Sequence, residues 1–86
     1  MEINKNWKLH LLEDYYEEME DAHKYINLAE EAEKDDCYIT ANALEMLAHD
    51  EFTHAKWLRN KLEEWGIPHG NKEADWQSLE RHFGYR

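Results

Sequence analysis

Two Glu-x-x-His pairs are the residues of this sequence whose types and spacing could do chemistry. The first pair is Glu20 with His23, and the second is Glu51 with His54. A separation of three residues places both side chains of a pair on the same side of a helix. Carboxylate oxygens and imidazole nitrogens arranged in this way can bind a divalent metal ion. Each pair alone is a weak signal, because the chain holds 20 acidic residues and 6 histidines.

Long helices are expected to carry both pairs, because every Gly and the single Pro of the chain follow residue 65. Apolar residues at helical spacing predict helix one over 6–34 and helix two over 37–65. Those of helix one are Leu9, Leu12, Tyr16, Met19 and Ile26. Those of helix two are Leu44, Leu47, Leu58, Leu62 and Trp65.

The connection between these helices is short and polar, which makes neighbouring helices run antiparallel. After Gly66 and Pro68, the spacing of Trp76, Leu79 and Phe83 predicts a short helix over 73–83. The expected fold is therefore all-α, a helical hairpin with a short C-terminal helix. Residues 1–86 are expected to form a single domain.

Glu51 and His54 occupy positions in the leucine series of helix two, so both are predicted to point towards the interior. A buried, unpaired carboxylate costs several kcal/mol, and a bound cation removes much of that cost. Metal ligation is the favoured interpretation of this pair. A hydrogen-bonded polar layer that fixes the register of the helices is the alternative.

The register of the hairpin is expected to bring the two pairs together. If the chain turns at Asp35 and Asp36, Glu20 lies level with Glu51, although a slip of one helical turn also fits the pattern. His23 falls within the apolar arc of helix one and is either a further ligand or a residue that supports one.

One hairpin leaves a mixed polar and apolar face uncovered, so dimerisation into a four-helix bundle is expected, or a larger even-numbered assembly. Glu20, Glu51 and His54 from two chains would supply four carboxylates and two imidazoles. This set predicts two divalent metal ions per dimer. Oxygen and nitrogen ligands suit iron or manganese and tolerate zinc.

The charge balance argues against several classes of partner. The formal net charge is −10, so nucleic acids and anionic membrane surfaces should repel the chain. No apolar run approaches the length of a membrane span, and the lone Cys37 cannot form an internal disulfide. A cytoplasmic location is expected.

The stretches YYEEMEDAHKY, residues 15–25, and HDEFTHA, residues 49–55, resemble the ferritin-like superfamily. The rubrerythrin-like and encapsulated-ferritin-like branches are the most similar, over roughly residues 9–65. The resemblance implies a half-size hairpin that dimerises into a ferritin-like four-helix bundle. In that bundle, Glu20 would be the single glutamate of the first helix, and Glu51 with His54 the Glu-x-x-His of the second.

The resemblance also implies ferroxidase or peroxide-reducing chemistry, with iron and oxygen or peroxide as substrates. Two other functions stay open on the residues alone. One is a non-catalytic metal-binding module with the same ligands. The other is a metal-free helical module whose acidic surface recognises a partner protein.

Overall fold

A computed structural model describes residues 3–84 of the chain, with side chains from residue 7 onwards. These residues form three α-helices: α1 (Ile3–Lys34), α2 (Tyr38–Glu64) and α3 (Glu73–Phe83). The prediction of an all-α fold is confirmed for this part of the chain. The first two helices differ slightly from their expected bounds, since α1 begins at Ile3 and α2 spans residues 38–64. None of the described helices is both long enough and apolar enough to cross a membrane.

The turn between α1 and α2 is set by backbone hydrogen bonds at the end of α1. Asp36 adopts a left-handed conformation with φ of 62°. Its N–H donates to the Glu33 carbonyl at 3.0 Å, and the Cys37 N–H donates to the Ala32 carbonyl at 2.8 Å. This pair of bonds is a Schellman motif, which satisfies carbonyls at a helix end and reverses the chain.

A seam of alanines runs along the contact between α1 and α2. Alanines repeat at seven-residue intervals on each helix, and all of them are buried: Ala22 and Ala29 on α1, and Ala41, Ala48 and Ala55 on α2. A seven-residue interval returns to nearly the same side of a helix. Because small side chains at the contact allow helix axes to approach closely, the seam brings the two backbones together.

The short helix α3 covers one side of the hairpin. Its Trp76 and Leu79 are buried. The ring of Phe52 on α2 stacks against Trp76 and against Phe83, with ring centroids 5.0 Å apart in both cases. Arg59 adds a polar bridge, since its guanidinium donates to the Tyr15 hydroxyl at 2.8 Å and to the Glu73 carboxylate at 2.7 Å. We call this side the covered face, comprising Tyr15, Phe52, Arg59 and the residues of α3.

The expected apolar arcs coincide with the core only in part. Met19, Ile26, Leu58 and Leu62 are buried as expected, but Leu9 is 54% exposed and Leu47 is 45% exposed. The buried positions of α2 instead follow the alanine seam and Phe52, because the core forms where the backbones approach and where α3 packs. Both helices are therefore rotated relative to the sequence expectation. This rotation decides which acidic side chains meet.

Candidate metal site

Three side chains meet where α1 crosses α2: Glu18, Glu51 and His54. One ligand atom from each lies within 4.8 Å of the other two. His54 Nδ1 is 3.2 Å from Glu18 Oε2 and 3.1 Å from Glu51 Oε1. Two carboxylates and one imidazole therefore converge on a volume that one metal ion could fill.

The helices position this group through the alanine seam. Glu51 and His54 are three residues apart on α2, so they share one side of that helix. Glu18 lies one turn before the buried Ala22 on α1, and His54 directly precedes the buried Ala55 on α2. Because these alanines let the backbones approach, side chains at the edge of the seam reach one another across it.

The electrostatics of the group favour a positive charge at its centre. Burial raises the pKa of Glu18, and the neighbouring Glu51 carboxylate raises it further. Burial alone would lower the pKa of His54, but the Glu18 and Glu51 carboxylates outweigh that effect and raise it. Both side chains thus hold protons more tightly than in water, which partly compensates for bringing two carboxylates together. A divalent cation would provide the same compensation more strongly.

The group is open on the side away from α3. The side chains of Glu18 and Glu51 are 21% and 19% exposed, whereas that of His54 is 60% exposed. Beside Glu18 lies an acidic depression of about 250 Å³. Its other lining residues are Asp14, Glu17, Asp21 and Leu58. Both carboxylates are therefore largely buried, and the imidazole between them is accessible to solvent.

The donor set fits a metal ion only in part. Carboxylate and imidazole ligands suit iron, manganese and zinc. Three ligand atoms from one chain leave positions free, because these ions take about four to six ligands. Further donors must come from water, a substrate or another protein chain. The site in one chain therefore has suitable chemistry and an incomplete ligand number.

The structure places Glu20 and His23 outside this group. Glu20 is exposed, and it lines a separate depression of about 310 Å³ between α1 and the start of α3. His23 lies in the same depression, where its Nε2 is 3.2 Å from the backbone carbonyl oxygen of Asp75. Among the residues described, the group of potential metal ligands contains Glu18 in place of Glu20. The rotation of α1 explains the difference, because Glu20 points about 160° away from Ala22 around the helix axis.

Sequence reasoning missed Glu18 because it located the inward arc from the leucines. Glu18 is 40° from Ala22 around the axis of α1, at about 100° per residue. The seven-residue alanine repeats were the signal that could have identified it. They are present in the sequence, but alanine is also a common residue of exposed helix surfaces.

Comparisons with protein-family models, with curated proteins and with solved structures found no match for this chain.

Proposed function

We propose that the chain binds a pair of divalent metal ions between two of its copies, using Glu18, Glu51 and His54 of each. The observation that carries this proposal is the convergence of the three ligand atoms within 4.8 Å of one another. The raised pKa of Glu18, caused by burial and by the Glu51 carboxylate, supports it further. Two carboxylates this close repel each other, and a cation or a shared proton relieves the repulsion.

A second copy would complete the ligand set from the open side. Leu47 lies one turn before Glu51 on the same side of α2 and is about half exposed. Leu28 of α1 is also about half exposed, seven residues after Asp21 of the acidic depression. We call Glu18, Leu28, Leu47, Glu51 and His54 the open face. Packing two open faces about a twofold axis would cover both leucines and would supply four carboxylates and two imidazoles to two ions.

The charge balance of that assembly favours divalent ions. Four carboxylates carry a charge of −4 and two divalent ions carry +4, so the centre would be neutral with both imidazoles uncharged. In each separate chain, the raised pKa values of Glu18 and His54 mean that both groups hold protons more tightly than in water. Metal binding would therefore release protons and would weaken as the pH falls.

Iron is the metal that we favour, and oxidation of iron(II) is the reaction. Carboxylate-rich sites with one imidazole per ion suit both iron(II) and iron(III), with manganese and zinc as competitors. Two iron(II) ions supply the two electrons that reduce hydrogen peroxide, with two protons, to two molecules of water. The residues of this chain would hold both ions side by side, and their anionic oxygens would favour the ferric product.

Metal stoichiometry of matched variants tests the proposal. Wild type is expected to bind about one iron(II) ion per chain under anaerobic conditions, as measured by elemental analysis after equilibrium dialysis. Glu18→Gln keeps the size of the side chain and is expected to lose most of this binding. Glu20→Gln is the matched control, because it removes one carboxylate from the same helix outside the group. Equal loss in both variants, or no binding by wild type, would reject the proposed ligand set.

Assembly and turnover are tested on the same samples. Sedimentation should detect a dimer, or a larger even-numbered assembly, that is stabilised by metal in wild type and not in Glu18→Gln. Aerobic addition of iron(II) should give a ferric absorbance rise faster than in buffer. Metal binding without this rise would identify a non-catalytic metal-binding module. Absence of metal binding would leave a metal-free helical interaction module.

A further inference from the structure

The side of α2 that points away from α1 carries three exposed apolar side chains. Ile39 is 88% exposed, Met46 is 69% exposed and Trp57 is 57% exposed. All three lie about 160–180° from the alanine seam around the axis of α2, at about 100° per residue. They form one line about 27 Å long, at about 1.5 Å per residue. We call Ile39, Met46, Asp50, Trp57 and Lys61 the outer stripe.

The outer stripe offers both raised side chains and a hollow. Beside Met46, a depression of about 420 Å³ lies between α2 and Phe83 of α3, and Asp50 lines it as well. Methionine is flexible and makes favourable contacts between its sulfur and aromatic rings. An apolar surface of this kind, edged by charged groups, is typical of a contact with another protein.

The two charged residues of the outer stripe lie apart from each other. No ion pair joins Asp50 to another residue of the described part of the chain. Lys61 lies about 16 Å further along the helix, at about 1.5 Å per residue. Its Nζ is 5.6 Å from the centroid of the Trp57 ring and 3.3 Å from Glu64 Oε1, in an exposed ion pair. The stripe therefore has an acidic part and a basic part with apolar side chains beside both.

This arrangement is complementary to itself. A second copy, turned about a twofold axis that crosses α2 near Thr53, would run its α2 antiparallel to the first. Its Asp50 would then lie within about one helical turn of Lys61 in the first copy, and the reverse would hold by symmetry. Each Met46 would likewise lie within about one turn of the partner's Trp57.

We propose that the outer stripe is a contact surface for a second copy of this chain, formed by two antiparallel α2 helices. The formal net charge of −10 makes copies repel each other, so they approach most easily where acid and base are matched. A single axis that brings Asp50 to Lys61 and Met46 to Trp57 favours a second copy over an unrelated partner. The stripe contains none of the three proposed metal ligands, so this contact does not depend on the metal site.

Sedimentation of chelator-treated protein between about 1 µM and about 500 µM tests the contact. The contact is only one helix wide, so wild type is expected to pass from monomer to dimer within this range. Trp57→Ala should weaken dimerisation by about 30-fold, because it removes the aromatic ring at the centre of the contact. Asp50→Lys should weaken it by about tenfold, because twofold symmetry turns two attractions into two repulsions.

Glu30→Lys is the matched control for Asp50→Lys. It changes the net charge by the same amount at an exposed position of α1 outside the stripe, so its dimerisation should stay close to that of wild type. Glu18→Gln should also dimerise like wild type in the presence of chelator. Loss of the dimer in Glu18→Gln would assign the association to the open face and would overturn the proposal.

Exchanging the two charges gives the sharpest measurement. The double variant Asp50→Lys with Lys61→Asp restores both attractions with acid and base in exchanged positions. Its dimer should recover to within about threefold of wild type, which only a contact between two like surfaces predicts. A double variant as weak as Asp50→Lys, a dimer that Trp57→Ala leaves unchanged, or a wild type that stays monomeric would each overturn the proposal.

Discussion

The two faces of the hairpin differ in how far their apolar and charged side chains are covered. On the covered face, Phe52 and Tyr15 are almost completely buried, because α3 lays Trp76 over them. The Tyr15 hydroxyl and the Glu73 carboxylate both accept hydrogen bonds there from Arg59. On the open face, Leu28 and Leu47 are about half exposed, and two carboxylates share one imidazole. The side chains of one face are covered within a single chain, whereas those of the other are partly exposed.

The difference between the two faces indicates which residues stabilise the fold and which could bind a metal ion or a second chain. A buried stack of aromatic rings contributes to folding whatever the solution contains. A group of two acids and one histidine is neutralised differently at each pH and metal concentration. We therefore expect substitutions on the covered face to change the stability of the chain itself. Substitutions on the open face should instead change metal binding, association and the response to pH.

The largest expected effect is that of Phe52→Ala on the covered face. Phe52 is 1% exposed and stacks against both Trp76 and Phe83. Removing its ring should lower the free energy of unfolding by about 3–5 kcal/mol, because it leaves a cavity and uncovers α3. Urea denaturation of chelator-treated protein at low concentration measures this change.

Leu47→Ala is the matched control on the open face. In the separated chain, it should cost below about 1 kcal/mol, because the side chain is already half in water. Equal costs for the two variants under these conditions would contradict the division of the molecule into a covered and an open face.

The sequence was sufficient to predict the helices but not their rotation. The absence of Gly and Pro before residue 65 predicted two long helices, and the spacing of Trp76, Leu79 and Phe83 predicted α3. The prediction went wrong where leucines were taken to mark the core. Leu47 proved half exposed, while Ala48 and Phe52 beside it are buried. Hydrophobicity alone could not decide between these arcs, because both are apolar.

The ambiguity between the two arcs also explains why Glu18, and not Glu20, lies beside Glu51 and His54. Glu51 and His54 were singled out because they occupy positions in the leucine series and were expected to point to the interior. The structure brings these two side chains together, but the side chain of His54 is 60% exposed, so the expectation of an interior His54 is wrong. The partner from α1 depends on the register and rotation of two helices, which are tertiary properties. Glu20 was expected, and Glu18 occupies the position. Likewise, the Arg59–Glu73 contact could not be predicted from the sequence, because it depends on which side of the hairpin α3 packs against.

A loss of stability of intermediate size is expected for a substitution of Gly70, in the loop before α3. Gly70 has φ of 80°, and a Cβ atom there would collide with the Tyr16 hydroxyl, which donates to the His69 carbonyl. Gly70→Ala should therefore cost about 2 kcal/mol, partly from backbone strain and partly from the lost hydrogen bond. Thermal unfolding measures the change.

Gly66→Ala separates the two contributions. Gly66 has φ of 70°, but a Cβ atom there would meet nothing within 4 Å. It should cost only the backbone strain, about 1 kcal/mol. If the two alanine variants were equally unstable, the contact between Tyr16 and the loop would contribute nothing to holding α3.

The smallest expected effect is a gain in stability from Glu18→Gln on the open face of the metal-free protein. Burial first, and the Glu51 carboxylate second, raise the pKa of Glu18. An acid whose pKa is higher in the folded than in the unfolded state destabilises the fold once it ionises. The loss develops as the pH rises from the ordinary carboxyl value through the raised one. Glu18→Gln should therefore be more stable than wild type at pH 8.5, by below about 1 kcal/mol.

The contribution of His54 to stability also falls as the pH rises, and it decides the pH at which the Glu18→Gln variant is compared with wild type. Its raised pKa means that its attraction to Glu18 and Glu51 stabilises the fold below the ordinary histidine value and is lost as the pH rises through the raised one. This attraction weakens as the pH rises, so pH 8.5 measures the repulsion between the two carboxylates more directly than neutral pH does. Chemical denaturation in the presence of a chelator should give no comparable gain for Glu20→Gln, whose side chain is exposed outside the group. A Glu18→Gln variant less stable than wild type at this pH would mean that the open face is already neutralised without metal.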